Sequence, residues 1–107
     1  MKNLIATLSL VLFLGSFSFA LTDETPLPKT NVTGSVIDKN TGEALAGVKI
    51  VLSELNQTVY TDFDGNFEFE KISQGKYTIK AELISYEDKT INLDSSKSNE
   101  IKIEVEN

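Results

Sequence analysis

The chain is predicted to fold as an all-β sandwich, with seven short antiparallel strands in two facing sheets. Three observations lead there. Apolar residues recur at every second position in short runs, the pattern of a strand with one buried face. The runs are separated by clusters of Gly, Asn, Asp and Ser, which accept turn conformations. Beyond residue 20 no window repeats with the period of an amphipathic helix. Many short strands with no helices between them indicate stacked antiparallel sheets rather than a parallel sheet.

Residues 1–20 stand apart from that fold. Lys2 supplies a positive start, Leu4 to Phe19 is an apolar run, and Ser18-Phe19-Ala20 places small residues where a signal peptidase reads. A membrane anchor needs roughly 18 uninterrupted apolar residues, and this run is broken by Thr7, Ser9, Gly15, Ser16 and Ser18. Residues 1–20 are therefore expected to be a cleaved signal peptide, with no membrane insertion afterwards and a periplasmic or secreted destination. Residues 21–31 are polar and include Pro26 and Pro28, which predicts a flexible lead-in. Residues 32–107 are expected to form a single domain with one core.

The expected strands run Val32 to Asp38, Val48 to Leu55, Gln57 to Phe63, Asn66 to Ile72, Tyr77 to Tyr86, Thr90 to Leu93 and Glu100 to Glu106. Thr61-Asp-Phe-Asp-Gly-Asn-Phe-Glu-Phe69 carries the sharpest signal. Asp64-Gly65 sits between two alternating runs and predicts a β-hairpin, with Val59, Thr61, Phe63, Phe67 and Phe69 facing the core and Tyr60, Asp62, Glu68 and Glu70 facing water. Alternation slips at Leu83-Ile84, where a β-bulge would return Tyr86 to the core face. In the last run Glu100, Lys102, Glu104 and Glu106 form a charged outer row of the kind that blunts an edge strand.

Composition narrows the function. The chain has no Cys, so neither a disulfide framework nor attachment of lipid to a cysteine is available. Every one of the 10 basic residues is lysine, and they face 16 acidic residues. Without the planar fork of arginine and with an acidic balance, nucleic acid is excluded as an expected partner. There is no His either, so the usual general base near neutral pH, the thiolate nucleophile and the common zinc ligands are all missing. No catalytic residue and no cofactor is expected.

Val32-Thr-Gly-Ser-Val-Ile-Asp38, Thr41-Gly-Glu43, Gly47-Val48, Asp64-Gly-Asn-Phe67 and Gly75-Lys-Tyr77 together resemble the carboxypeptidase regulatory-like domain family. The resemblance is firm from Val32 to about Tyr86 and looser over the last two strands. It implies a transthyretin-like, seven-strand antiparallel Greek-key β-sandwich. It also implies an accessory role: such domains sit beside metallocarboxypeptidase catalytic domains, at the periplasmic N-terminus of outer-membrane receptors, or alone in small exported Bacteroidetes-type proteins. The hydroxyisourate-opening hydrolases of similar fold depend on histidines, so that activity does not carry over. Two departures stand out: relatives often carry prolines around Leu45, flanked here by Ala44 and Ala46, and often carry Gly where this chain has Ser85.

A binding or structural role remains. Asp62-x-Asp64-Gly65-Asn66 echoes the opening of a calcium loop, making Asp62, Asp64 and Asn66 a metal candidate. The bidentate Glu that closes such a loop is replaced by Ile72, and an Asp-Gly turn explains the same letters. An intramolecular Lys–Asn isopeptide bond has no support, because Lys49, Lys80 and Lys102 alternate outward. The sequons at Asn31 and Asn56 are read as chance. Tyr60 points outward from the hairpin, and Lys39, Asn40 and Thr41 lie in a loop, so these four residues form the expected contact surface. The expected function is a non-enzymatic interaction module for a cell-envelope protein; a carbohydrate-binding module is the alternative, served by only three Tyr and no Trp.

Overall fold

The computed structural model describes residues 27–107. The expected signal peptide and the first part of the lead-in lie outside the described residues. Seven strands follow in order: β1 Lys29–Asp38, β2 Lys49–Leu52, β3 Gln57–Tyr60, β4 Asn66–Ser73, β5 Lys76–Glu82, β6 Lys89–Asp94 and β7 Glu100–Val105. They form a three-stranded sheet in the order β4-β1-β7 and a four-stranded sheet in the order β3-β2-β5-β6. Among the described residues no helix is long and apolar enough to cross a membrane.

The period-two pattern does the sorting. Val32 and Val36 of β1, Phe67, Phe69 and Ile72 of β4, and Ile103 and Val105 of β7 line the inner face of the first sheet. Ile50, Leu52, Tyr77, Ile79, Ala81 and Leu93 line the facing one. Phe67 and Phe69 meet edge to face, their centroids 6.0 Å apart at 72°, the arrangement the ring quadrupole favours. Gly34 is required beneath them: a Cβ there would lie 2.5 Å from the Phe67 ring and 2.7 Å from the Ile101 carbonyl oxygen.

Five features differ from the sequence expectation. First, β3 and β4 do not form a hairpin. β3 pairs with β2 and β4 with β1, so Asp64-Gly65 carries the chain from one sheet to the other. Alternation stops after Thr61, whose hydroxyl accepts from the Val48 N–H and donates to the Leu45 carbonyl, and Phe63 rides the turn at 94% exposure instead of entering the core. Second, the fold is not wholly antiparallel: β7 runs parallel to β1, from Thr33 opposite Glu100 to Asp38 opposite Val105. The other edge of β1 is already taken by β4, and the chain crosses between sheets after β6 to reach the free one.

Third, β5 ends at Glu82, and Leu83–Tyr86 form a turn rather than a bulge, closed by the Tyr86 N–H donating to the Leu83 carbonyl at 3.0 Å with Ser85 at φ 76°. The register irregularity falls elsewhere, between Thr30 and Val32 of β1, opposite Lys71 at φ 56°. Fourth, β1 starts at Lys29, inside the segment expected to be a lead-in, because Lys29 and Thr30 pair with Ser73 and Ile72. Fifth, the second expected run divides, since β2 stops at Leu52 and Ser53–Leu55 form a 3-10 turn ended by Asn56 in the left-handed region.

Candidate binding surfaces

Three connections converge at the end of the sandwich where β1 finishes: Lys39–Val48, Thr61–Gly65 and Leu83–Asp88. Backbone bonds hold each in place: Leu45 N–H donates to the Val36 carbonyl of β1 (3.0 Å), Gly47 N–H donates to the Thr61 carbonyl and joins the first two connections (3.0 Å), and Glu87 N–H donates to the Glu106 carbonyl after β7 (2.9 Å). Thr61, buried, adds a side-chain bridge: its hydroxyl accepts from Val48 N–H at 2.9 Å and donates to the Leu45 carbonyl at 2.7 Å.

Asp38 anchors this end. It is only 6% exposed, and one carboxylate oxygen accepts from Asn40 N–H (2.8 Å) and Thr41 N–H (3.1 Å) while the other accepts from the Tyr86 hydroxyl (2.7 Å). The Tyr86 bond, followed by the bond from Asn40, holds the Asp38 carboxyl below the usual carboxylate range. The same bond and then burial push the Tyr86 phenol up. The expected contact residues Lys39, Asn40 and Thr41 thus belong to a loop clamped by Asp38, with Lys39 3.9 Å from Glu106 at the surface.

The turn after β3 is equally closed. Asp62 Oδ1 accepts from the N–H groups of Asp64 and Asn66, both at 2.9 Å, and the Gly65 N–H donates to the Asp62 carbonyl at 2.9 Å. Gly65 has φ 79°, and a Cβ on it would sit 2.8 Å from the Val36 carbonyl oxygen. The calcium candidate therefore presents one engaged Asp62 oxygen, while Asp64 and Asn66 turn their amides toward it. Among the described residues no group of three or more His, Cys, Asp or Glu is placed to hold a metal ion. Held on this turn, Phe63 is 94% exposed, and Ile84 on the neighbouring turn is 88% exposed.

A second feature begins beside that end. An open groove of about 1010 Å³ crosses the three-stranded sheet and reaches the β3 edge. Gly34, Phe67 and Ile101 contribute to its floor, and Tyr60, 61% exposed, stands at its border. Of the residues expected from sequence, Tyr60, Asp62 and Asn66 line it, whereas Lys39, Asn40 and Thr41 do not. Sequence reasoning missed Phe63, Ile84, Asp38 and the groove's Thr33, Ser35, Glu68, Glu100 and Lys102. The signal for Phe63 was present: an Asp two residues before Asp64-Gly65 is a side-chain acceptor for the turn, and a strand cannot continue through it.

At the other end of the molecule Glu54 accepts from Thr78 N–H at 2.8 Å, which draws its carboxyl below the usual range, and the Ser96 hydroxyl does the same for Asp94.

Comparison with known proteins agrees with this architecture. Colossin-A of Dictyostelium discoideum is 37% identical over 84 residues, a match covering 63% of this chain and 1% of Colossin-A. A chain of the type II cohesin–X–dockerin complex from Acetivibrio cellulolyticus superposes with TM-score 0.57 at 21% identity, over 71% of this chain and 56% of that one. 3-Chlorocatechol 1,2-dioxygenase from Rhodococcus opacus superposes with TM-score 0.53 at 14% identity, over 80% of this chain and 62% of the enzyme. At such identities the two structures share the fold alone, and that fold hosts both enzymes and non-enzymes. A family model described as the CarboxypepD_reg-like domain matches residues 32–107. That match spans most of the chain, and the chain belongs to the carboxypeptidase regulatory-like domain family.

Proposed function

We propose that the chain is an exported, non-catalytic interaction module that docks a cell-envelope protein through the end bearing Phe63 and Ile84. Export rests on the sequence of residues 1–20 and gives a periplasmic or secreted destination; the absence of His and Cys, together with the regulatory-like family, supports a role without catalysis. The observation that carries the docking reading is Phe63, a large apolar side chain 94% exposed on a turn held by its own hydrogen bonds. Burying such a side chain in a partner is worth about 1.5–3 kcal/mol, and a preorganised turn spends little ordering entropy on docking. Aromatic anchors of this kind dominate many protein interfaces.

The cohesin–X–dockerin neighbour is a protein–protein complex, which is compatible with a sandwich of this shape serving as a docking platform. The test is a photo-crosslinking amino acid placed at Phe63, at Ile84 and, for contrast, at exposed Lys97 on the far turn, with the chain expressed in its own cells and the adducts identified by mass spectrometry. One shared protein adduct from the first two positions and none from the third is expected. Equal adducts from all three, or none from Phe63, would reject docking at this end.

A further inference from the structure

The groove on the three-stranded sheet begins at Asp62 and Asn66 but leaves Phe63 and Ile84 outside its lining, and we infer that it binds an uncharged oligosaccharide. Its outer wall is built by register. Thr33 lies between Glu68 and Glu100, and Ser35 lies between Asn66 and Lys102, so two rungs of three side chains cross β4, β1 and β7. Val32 and Val36 alternate with them into the core, which turns both rungs outward. Neighbours in a rung are about 4.8 Å apart and successive rungs about 6.8 Å, a grid of donors and acceptors on the scale of single pyranose rings.

These groups are uncommitted. Among the described residues the side chains of Thr33, Ser35, Glu68, Glu100 and Lys102 make no hydrogen bond or ion pair with the rest of the chain, nor does the Tyr60 phenol. The outer face of the other sheet behaves differently: Lys80 pairs with Glu82 at 3.4 Å and with Asp88 at 3.7 Å, and Glu54 accepts from a β5 amide. Hydroxyl, carboxylate, amide and ammonium groups side by side can satisfy the many hydroxyls of a sugar, each of which both donates and accepts.

Charge selects among ligands. Asp62, Glu68 and Glu100 outweigh Lys102, so the field in the groove disfavours phosphate, sulfate, uronate and nucleic acid. Polar rungs disfavour a lipid. Tyr60, in register with Lys49 on β2, reaches the border of the groove and is 61% exposed, the aromatic nearest to hand for the C–H side of a sugar ring. What fits all three is a neutral polyhydroxylated chain lying across the rungs.

The experiment is amide-shift NMR and calorimetric titration of the purified protein with cello-, xylo-, manno- and chito-hexaoses, and with polygalacturonate as the anionic arm. At least one neutral hexaose is expected to saturate below about 1 mM, shifting amides of β1, β4, β7 and Tyr60. Tyr60→Ala and Glu68→Ala, both surface changes, should each weaken it at least about tenfold, while Lys97→Ala leaves it unchanged. Absence of saturation by every neutral hexaose would overturn the inference. So would preference for polygalacturonate, shifts confined to Phe63 and Ile84, or affinity indifferent to both groove variants. Because Phe63 and Ile84 do not line the groove, loss of glycan binding and loss of the partner crosslinked at those two positions are separate outcomes.

Discussion

Phe63 and Phe69 have the same parity in the sequence and opposite fates in the fold, and exchanging each for alanine tests the sheet-switching turn directly. Phe69 is 1% exposed and meets Phe67 edge-on at 6.0 Å, so Phe69→Ala removes a filled ring from the interior. Core Phe→Ala changes cost about 3–5 kcal/mol, a large part of the roughly 5–15 kcal/mol that holds a domain folded. For a domain of this size that lowers the melting midpoint by at least about 10 °C. Phe63→Ala, at 94% exposure, removes almost no packing and should fall within about 0.5 kcal/mol of the parent. Urea unfolding followed by far-ultraviolet circular dichroism is the assay, with an unchanged slope confirming that the unfolded states are comparable. If Phe69→Ala does not fold, Phe69→Leu keeps the comparison open with a loss on the order of 1–2 kcal/mol. A loss of more than about 2 kcal/mol for Phe63→Ala would mean that Phe63 is a core residue. The β3–β4 hairpin would then replace the crossing between sheets.

Four further outcomes are expected. Ser85→Gly should stabilise the protein by about 0.5–1 kcal/mol, since Ser85 holds φ 76° and a Cβ is penalised there; unchanged or lower stability in the same urea assay would contradict that turn. Gly34→Ala should cost about 1–3 kcal/mol through overpacking against the Phe67 ring, and a wild-type urea midpoint would rule the close approach out. The carboxyls of Asp38, Glu54 and Asp94 are drawn below their ordinary values of 3.8, 4.5 and 3.8, so each contributes stability that is complete above those values and is lost as pH falls through the lowered ones. Melting midpoints should therefore hold level from neutrality to about pH 5 and fall below that, with a shallower fall in Tyr86→Phe, which removes the main cause at Asp38. Millimolar calcium should leave the midpoint unmoved, because Asp62 is engaged by the amides of its own turn; a rise would favour the metal candidate.

Strand positions and core residues were legible wherever burial alone decides, because a period-two pattern of Val, Ile and Phe has one stable solution once a face is covered. Seven strands were expected and seven form, with Gly42, Asn56 and Gly65 at positive φ as their residue types suggest. Strand partners were not legible. Asp64-Gly65 is compatible both with a hairpin and with a crossing, and the choice lies in distant pairings, β3 with β2 and β4 with β1, joined by the bonds of Thr61 to Leu45 and Val48. The parallel pairing of β1 with β7 likewise depends on which sheet edge is vacant. Of the contact residues, Tyr60 was readable from parity, while the groove beside it comes from strands far apart in the chain.

That distance gives Asn31 a structural assignment. A one-residue slip of β4 or β7 against β1 would turn every outward side chain of that strand inward, so the two rungs of the groove need both pairings held in register. Both are pinned at the same place. Asn31 Oδ1 accepts from Lys71 N–H at 3.0 Å, where Lys71 takes φ 56° and absorbs the extra residue of β4. On the other side Asn99 donates to the Thr30 hydroxyl at 3.2 Å and to the Asn31 carbonyl at 3.1 Å, and its own carbonyl accepts from Thr33 N–H at 2.9 Å, just before β7 begins. Residues 30 and 31, which the sequence reading assigned to a lead-in, thus align all three strands. An asparagine suits the position because one short side chain and its backbone can accept bonds toward both neighbours, and the alignment it sets brings Glu68, Thr33 and Glu100 onto one line.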